Sequence, residues 1–109
     1  MNNREIITLC GSTRFKEEFM NVMRRLTLEG KIVIPPGVFG HSDNERISDE
    51  EKRKLDELHL RKIDISDSIF VVDVNGYVGD STRREVDYAK ENSKGIYFYS
   101  REFEGGKAK

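Results

Sequence analysis

Ser68-Ile69-Phe70-Val71-Val72-Asp73-Val74 is a nearly unbroken apolar run, and it passes through Asn75-Gly76-Tyr77-Val78-Gly79 into Asp80-Ser81-Thr82-Arg83-Arg84-Glu85. A short apolar run bounded by turn residues reads as a strand buried on both faces, the kind a parallel sheet requires. The same grammar occurs near the start, where Ile6-Ile7-Thr8-Leu9-Cys10 runs straight into Gly11-Ser12-Thr13-Arg14. Each segment is strand, small-residue turn, helix start. In an open parallel sheet such turns line the crevice at the carboxyl ends of the strands, where ligands bind. One turn suits an anion and the other presents an acid. Together they point to chemistry on a phosphorylated small molecule.

The other elements follow outward from these two. Phe15, Phe19, Val22, Met23 and Leu26 fall at helical spacing and predict a helix from Thr13 to about Glu29, ended by Gly30. Lys31-Ile32-Val33-Ile34 is a short strand stopped by Pro35-Pro36, and residues 37–47 form a polar loop, a candidate lid. Ser48 and Glu51 make a capping box for a helix that should turn Leu55, Leu58 and Ile63 inward. A helix over about 81–92 and a strand over Gly95–Tyr99 complete a single domain spanning residues 1–100. Residues 101–109 are rich in glycine and charge and should fray. Strands alternating with helices imply right-handed crossovers and a parallel sheet covered on both faces. The expected architecture is a three-layer α/β fold of flavodoxin-like (Rossmann-like) type with strand order 2-1-3-4. Both informative turns then sit side by side where the strand order reverses.

Composition narrows the function classes. A chain of 109 residues carries one core. Nineteen Lys and Arg against 20 Asp and Glu give a net charge of −1, which argues against a general electrostatic grip on nucleic acid. No apolar run reaches membrane-spanning length, and the start Met1-Asn2-Asn3-Arg4-Glu5 does not read as a signal peptide. The lone cysteine, Cys10, can form no internal disulfide, and a cytoplasmic location is expected. The two histidines, one cysteine and scattered acids show no metal-ligand spacing, so no metal is expected.

Gly11 permits a tight turn, Ser12 or Thr13 can cap the helix, and Arg14 adds a guanidinium fork, a combination that favours phosphate. The plain alternative is an ordinary N-cap with Arg14 in solvent. Nothing matches Gly-x-Gly-x-x-Gly or a Walker motif, so dinucleotide binding and triphosphate hydrolysis have no support. At the second turn, Ser81, Thr82 or Asp80 should cap the helix. Glu85 adjoins the face bearing Val86 and Ala89 and so points toward the top of the sheet. A carboxylate held there can attack an anomeric carbon and form a covalent glycosyl intermediate. Asp73, at the end of its strand, is a candidate for binding sugar hydroxyls. His41 in the loop reads as solvent-exposed, and Lys52-Arg53-Lys54 and Arg83-Arg84 read as solvated helix faces. Tyr97 and Tyr99 read as sheet packing with polar tips, suited to an interface between copies.

Gly11, Ser12 and Arg14, the pair Ser66-Asp67 before a buried strand, and Asp80, Ser81, Glu85 and Ala89 after it form one pattern. In these positions the chain resembles the nucleoside 2-deoxyribosyltransferase superfamily over about Glu5 to Tyr99. Its phosphate turn is most similar to that of the branch of 2′-deoxynucleoside 5′-phosphate N-hydrolases. The resemblance implies that Glu85 is the nucleophile on C1′ and that Gly11, Ser12, Arg14 and Ser81 hold the 5′-phosphate, with Thr13 and Asp80 beside them. It also implies a small-molecule nucleotide as partner, a homodimer or higher homo-oligomer, and no cofactor. The family usually carries an Asp eight residues before Asp67, and here that position is His59. Asp56 lies three residues earlier, so an Asp56–His59 pair can take over the proton shuttle. A small residue usual before the nucleophile is replaced by Arg84. The alternative function is a non-catalytic nucleotide-binding or sensing domain of the same fold.

Overall fold

The structure, a computed structural model, describes residues 4–40 and 42–104. His41 and residues 105–109 lie outside the described residues. Four strands, β1 (Ile6–Cys10), β2 (Ile32–Ile34), β3 (Ser68–Val71) and β4 (Gly95–Phe98), pair in parallel in the order β2-β1-β3-β4. Between them run helices α1 (Lys16–Leu28), α2 (Asp49–Asp64) and α3 (Asp80–Glu91), and one helical turn, α4 (Tyr99–Glu102), follows β4. This is the expected three-layer α/β architecture, with the reversal of order between β1 and β3.

Side-chain alternation along the strands builds two cores from one sheet. Ile7 and Leu9 of β1, with Phe70 and Val72, face α1 and pack on Phe19, Val22 and Leu26. Their neighbours face the other way: Cys10, Ile69 and Val71 pack with Ile63 of α2 and with Val86 and Ala89 of α3. That parity has a consequence for the site. Cys10, the last residue of β1, is turned into the layer of α2 and α3, and is 1% exposed there. Among the described residues, no helix is long and apolar enough to cross a membrane.

Local chemistry decides where the elements begin and end. Ser48 and Glu51 form the capping box of α2 as its spacing predicts, with Ser48 Oγ accepting from Glu51 N at 3.1 Å. Ser66 Oγ donates to Lys62 O and lies 2.6 Å from Thr8 Oγ, fastening the end of α2 to β1. Asp67 accepts from the amide of Ile6 at 2.8 Å. The Ser66-Asp67 pair therefore has a structural task, joining α2 and β3 to β1.

Several expectations need correction. Leu58 is 49% exposed, not inward. The buried stripe of α2 passes through Leu55, His59 and Ile63 at steps of four, and Leu58 lies about 100° from His59 around the helix. The first helix is preceded by a separate 3₁₀ turn over Thr13–Phe15. No side chain caps α3: its N-cap is Gly79, which places Asp80, Ser81 and Thr82 inside the first turn. The stretch after β4 is helical up to Glu102, and Phe103 stacks on Tyr99 at 4.8 Å and meets Phe70 edge-on. The first residues of the stretch expected to fray, Arg101–Phe103, thus sit against the fold, because Phe103 finds apolar ground on Tyr99 and Phe70.

Asp73 explains where β4 ends. Both its oxygens are engaged by Ser100, one by the backbone amide and one by the hydroxyl, each at 2.8 Å. This carboxylate is 5% exposed and starts α4 one residue after β4, so Tyr99 is helical rather than the end of a strand. Asp73 does not line the cleft described below, and its oxygens are engaged in holding Ser100.

Candidate functional site

A cleft of about 440 Å³ opens at the carboxyl ends of β1 and β3, at the reversal of strand order. Gly11, Ser12 and Thr13 supply one wall and Gly79, Asp80 and Ser81 the opposite one. The loop after β2 closes a third side through Pro36, Gly37, Val38 and Gly40. It is tied to its surroundings by an ion pair of Asp43 with Lys16 of α1 at 2.9 Å and by Lys62 Nζ, which donates to Pro35 O at 3.1 Å. The volume lies within the range typical of small-molecule sites.

Gly11 adopts φ 143°, a conformation open to glycine, and a Cβ there would stand 3.0 Å from the Val72 carbonyl. The turn can therefore pass close over β3. Ser12 caps the 3₁₀ turn, its Oγ accepting from Arg14 N at 3.3 Å and from Arg14 Nε at 3.0 Å. Arg14 is exposed and does not line the cleft; its guanidinium lies 5.0 Å from the centre of the Tyr77 ring. It stands at the rim. Tyr77, which sequence reading passed over, is a wall of the cleft.

The floor is where charge and burial conflict. α2 brings His59 inward because it lies four residues before buried Ile63. α3 brings Glu85 inward because it shares the stripe of Thr82, Val86 and Ala89. Their side chains are 13% and 16% exposed, and His59 Nε2 lies 3.4 Å from Glu85 Oε1. The same nitrogen lies 3.1 Å from Cys10 Sγ, which the parity of β1 has aimed at it. The sulfur, the nitrogen and a carboxylate oxygen all lie within 4.8 Å of one another. No spacing in the sequence suggests this cluster; the three residues come from a strand and two helices. Three side chains of types that can ligate a metal thus meet in the fold, although no spacing in the sequence brings them together.

Electrostatics follow from the burial. Loss of water pushes the Glu85 carboxyl up to about 7, with the negative field of Asp56 acting in the same sense. Burial first, and the Lys62 ammonium second, push His59 down to about 4. Burial, then the proximity of Glu85, raises the Cys10 thiol well above its ordinary value. The His59–Glu85 contact thus has the geometry of an ion pair, but both shifts remove charge from it. Between about pH 4 and 7 it joins a neutral imidazole to a carboxylic acid. Partial burial also lowers Lys62, a cation on the cleft wall that sequence reading did not single out.

Asp56 lines the cleft but is exposed, and Lys52 holds it in an ion pair at 3.2 Å. The expected Asp56–His59 pair is replaced by contacts of His59 with Cys10 and Glu85. Ser81 lines the cleft and accepts a bond from Arg84 Nη2 at 3.3 Å. Of the predicted residues, the fold gathers Gly11, Ser12, Thr13, Asp56, His59, Asp80, Ser81 and Glu85 around one cleft, while Arg14 and Asp73 do not line it. No protein-family model matches the chain, and neither does any curated protein.

Proposed function

We propose that this protein cleaves the N-glycosidic bond of a (deoxy)nucleoside 5′-monophosphate, with Glu85 as nucleophile. The observation that carries the reading is a single glutamate on the floor of the cleft, raised to about 7 by burial, between two helix-start turns. An acid in that position titrates near neutrality, where it can serve as a nucleophile and leave again.

The phosphate end of the substrate is matched by the other walls. α3 spans 12 residues, and its amino terminus lacks a side-chain cap, so its first amide groups favour an anion. The Gly11-Ser12-Thr13 turn faces it across the cleft, and Lys52 and Lys62 add positive charge to the lining. Arg14, bonded to Ser12 Oγ and lying over Tyr77, stands beside this turn. The Asp80 carboxylate suits sugar hydroxyls, which donate to it, and the Ser81 hydroxyl can donate to a phosphate oxygen. Tyr77 offers an aromatic surface to a base.

In the reaction, a Glu85 oxygen bonds to C1′ while the bond from C1′ to the base nitrogen breaks. The electron pair goes to that nitrogen, which takes a proton from solvent on the open side of the cleft, where Asp56 stands. Water then attacks C1′ of the glycosyl ester, loses a proton, and frees both the sugar phosphate and the Glu85 carboxylate. His59 Nε2 keeps the carboxylate oriented through both steps. Attack and return through one carboxylate retain the configuration at C1′.

The test is chromatographic. Incubation with a panel of nucleoside and deoxynucleoside monophosphates should release free base from at least one member, and Glu85→Ala should abolish the release. A raised melting temperature with no base release would instead favour a nucleotide-binding module. The absence of both signals across the panel would refute the nucleotide reading.

A further inference from the structure

The cluster at the bottom of the cleft has a second property that attack on a sugar does not require. Its members are a thiol, an imidazole and a carboxylate, fixed by three different elements and directed at one point. Cys10 is 1% exposed, and the side chains of His59 and Glu85 are 13% and 16% exposed. A nucleophile for C1′ needs an acid and something to orient it. A buried thiol 3.1 Å from the same imidazole nitrogen adds nothing to that task.

Two of the three separations match a common centre, and the third is bounded at 4.8 Å. Tetrahedral zinc with bonds of about 2.3 Å to sulfur and about 2.0–2.2 Å to nitrogen and oxygen puts S···N at about 3.5 Å and N···O at about 3.4 Å. The observed separations are 3.1 Å for Cys10 Sγ to His59 Nε2 and 3.4 Å for His59 Nε2 to Glu85 Oε1. The ion is seated by opening the first by a few tenths of an ångström and setting sulfur and carboxylate oxygen, which lie within 4.8 Å, about 3.6 Å apart. We propose that Cys10, His59 and Glu85 form a three-ligand site for a thiophilic divalent cation of the zinc class, with its fourth coordination position open to the cleft.

The donor set selects the ion. One soft sulfur and one imidazole disfavour magnesium and calcium, which take oxygen ligands. Thiolate and carboxylate together neutralise a doubly charged ion, and the bound ion takes the place of the thiol proton. The Lys62 ammonium, whose field reaches Cys10, is anchored on the Pro35 carbonyl. Three protein ligands with one open position is also the arrangement of catalytic rather than structural zinc sites. His59 and Glu85 both line the cleft, so the open position meets whatever small molecule enters. With the ion seated, the Glu85 carboxylate is committed to metal. Attack on C1′ therefore belongs to the metal-free protein, and the ion acts as a brake on it. Only this last consequence rests on the proposed glycosidic chemistry; ion binding itself does not.

The experiment uses the full chain, stripped with a chelator and titrated with Co²⁺ in the absence of nucleotide, followed by competition with Zn²⁺. The expected result is one ion per chain and a sulfur-to-cobalt charge-transfer band that saturates and is displaced by Zn²⁺. Cys10→Ser should lose the band, and Glu85→Gln should weaken binding by at least about 100-fold, more than loss of an outer-shell partner costs. Glu85→Gln keeps the size and shape of a side chain that lines the cleft floor, so it carries the test if Cys10→Ser fails to fold. No charge-transfer band in the wild type, or an affinity that Glu85→Gln leaves unchanged, overturns the site. Base release assayed with chelator present reports on the glycosidic reading separately.

Discussion

Two glutamates near opposite ends of one sheet have opposite fates. Glu5, at the amino-terminal edge, is met by Ser68 Oγ at 2.6 Å, Tyr97 Oη at 3.0 Å and Lys31 Nζ at 3.1 Å. These donors hold its carboxyl below the ordinary value, the Ser68 hydrogen bond foremost. Glu85, at the carboxyl end, has burial without an equivalent set of donors and is pushed up to about 7. The residue type is the same, and the partners differ. A fold that needs a charge for its own cohesion surrounds it with donors, whereas one that keeps an acid for chemistry withholds them. Asp73 belongs with Glu5: both its oxygens are spent on Ser100.

The sharpest way to break this contrast is to remove each acid in turn. Glu85→Gln should lower base release on the order of 10⁴-fold or more, the scale on which enzymes lose a nucleophile, with the fold intact by circular dichroism. Glu5→Ala should do the reverse. It strands the buried Ser68 hydroxyl and should cost about 1–3 kcal/mol in denaturant unfolding, while turnover per folded molecule stays near wild type.

The pH dependence separates the two further. The Glu85 pKa is raised from 4.5 to about 7 in the folded state, so its contribution to stability is present below 4.5 and lost as pH rises through about 7. The His59 pKa is lowered from 6.5 to about 4, so its contribution is present above 6.5 and lost as pH falls toward 4. In the wild type the two oppose each other over the shared window. Glu85→Gln removes the first, so its stability advantage over wild type should grow by on the order of 1–3 kcal/mol as pH rises through that window, measured by unfolding with chelator present. For the same reason base release should rise with pH on a limb near neutrality rather than in the ordinary carboxylate range. The smallest effect is expected at Asp73. Asp73→Ala should cost about 1 kcal/mol through the lost start of α4 and leave base release unchanged.

These contrasts also mark what was legible in the residues. The strand-turn-helix grammar at Cys10–Gly11 and Val74–Asp80 was enough for the strand order and for the two walls of the cleft, because parallel topology leaves few alternatives. Glu85 was legible too, since it interrupts an apolar helical stripe. The fate of Asp73 was not, because its partner Ser100 follows a stretch that reads as a plain strand, and no spacing rule links the two residues. The partnership of Cys10 with His59 was likewise hidden. It depends on strand parity and on the packing of two helices, neither of which a spacing rule encodes. Leu58 was misplaced by counting apolar residues rather than following the face that carries Ile63.

The claim on which the rest depends is that these two acids differ because their surroundings do. It can be tested by following the side-chain carboxyl carbons of Glu5 and Glu85 by NMR across a pH titration of the metal-free protein. Glu85 should titrate near 7 and Glu5 below the ordinary glutamate value. Titration of both together in the ordinary carboxylate range would contradict the account.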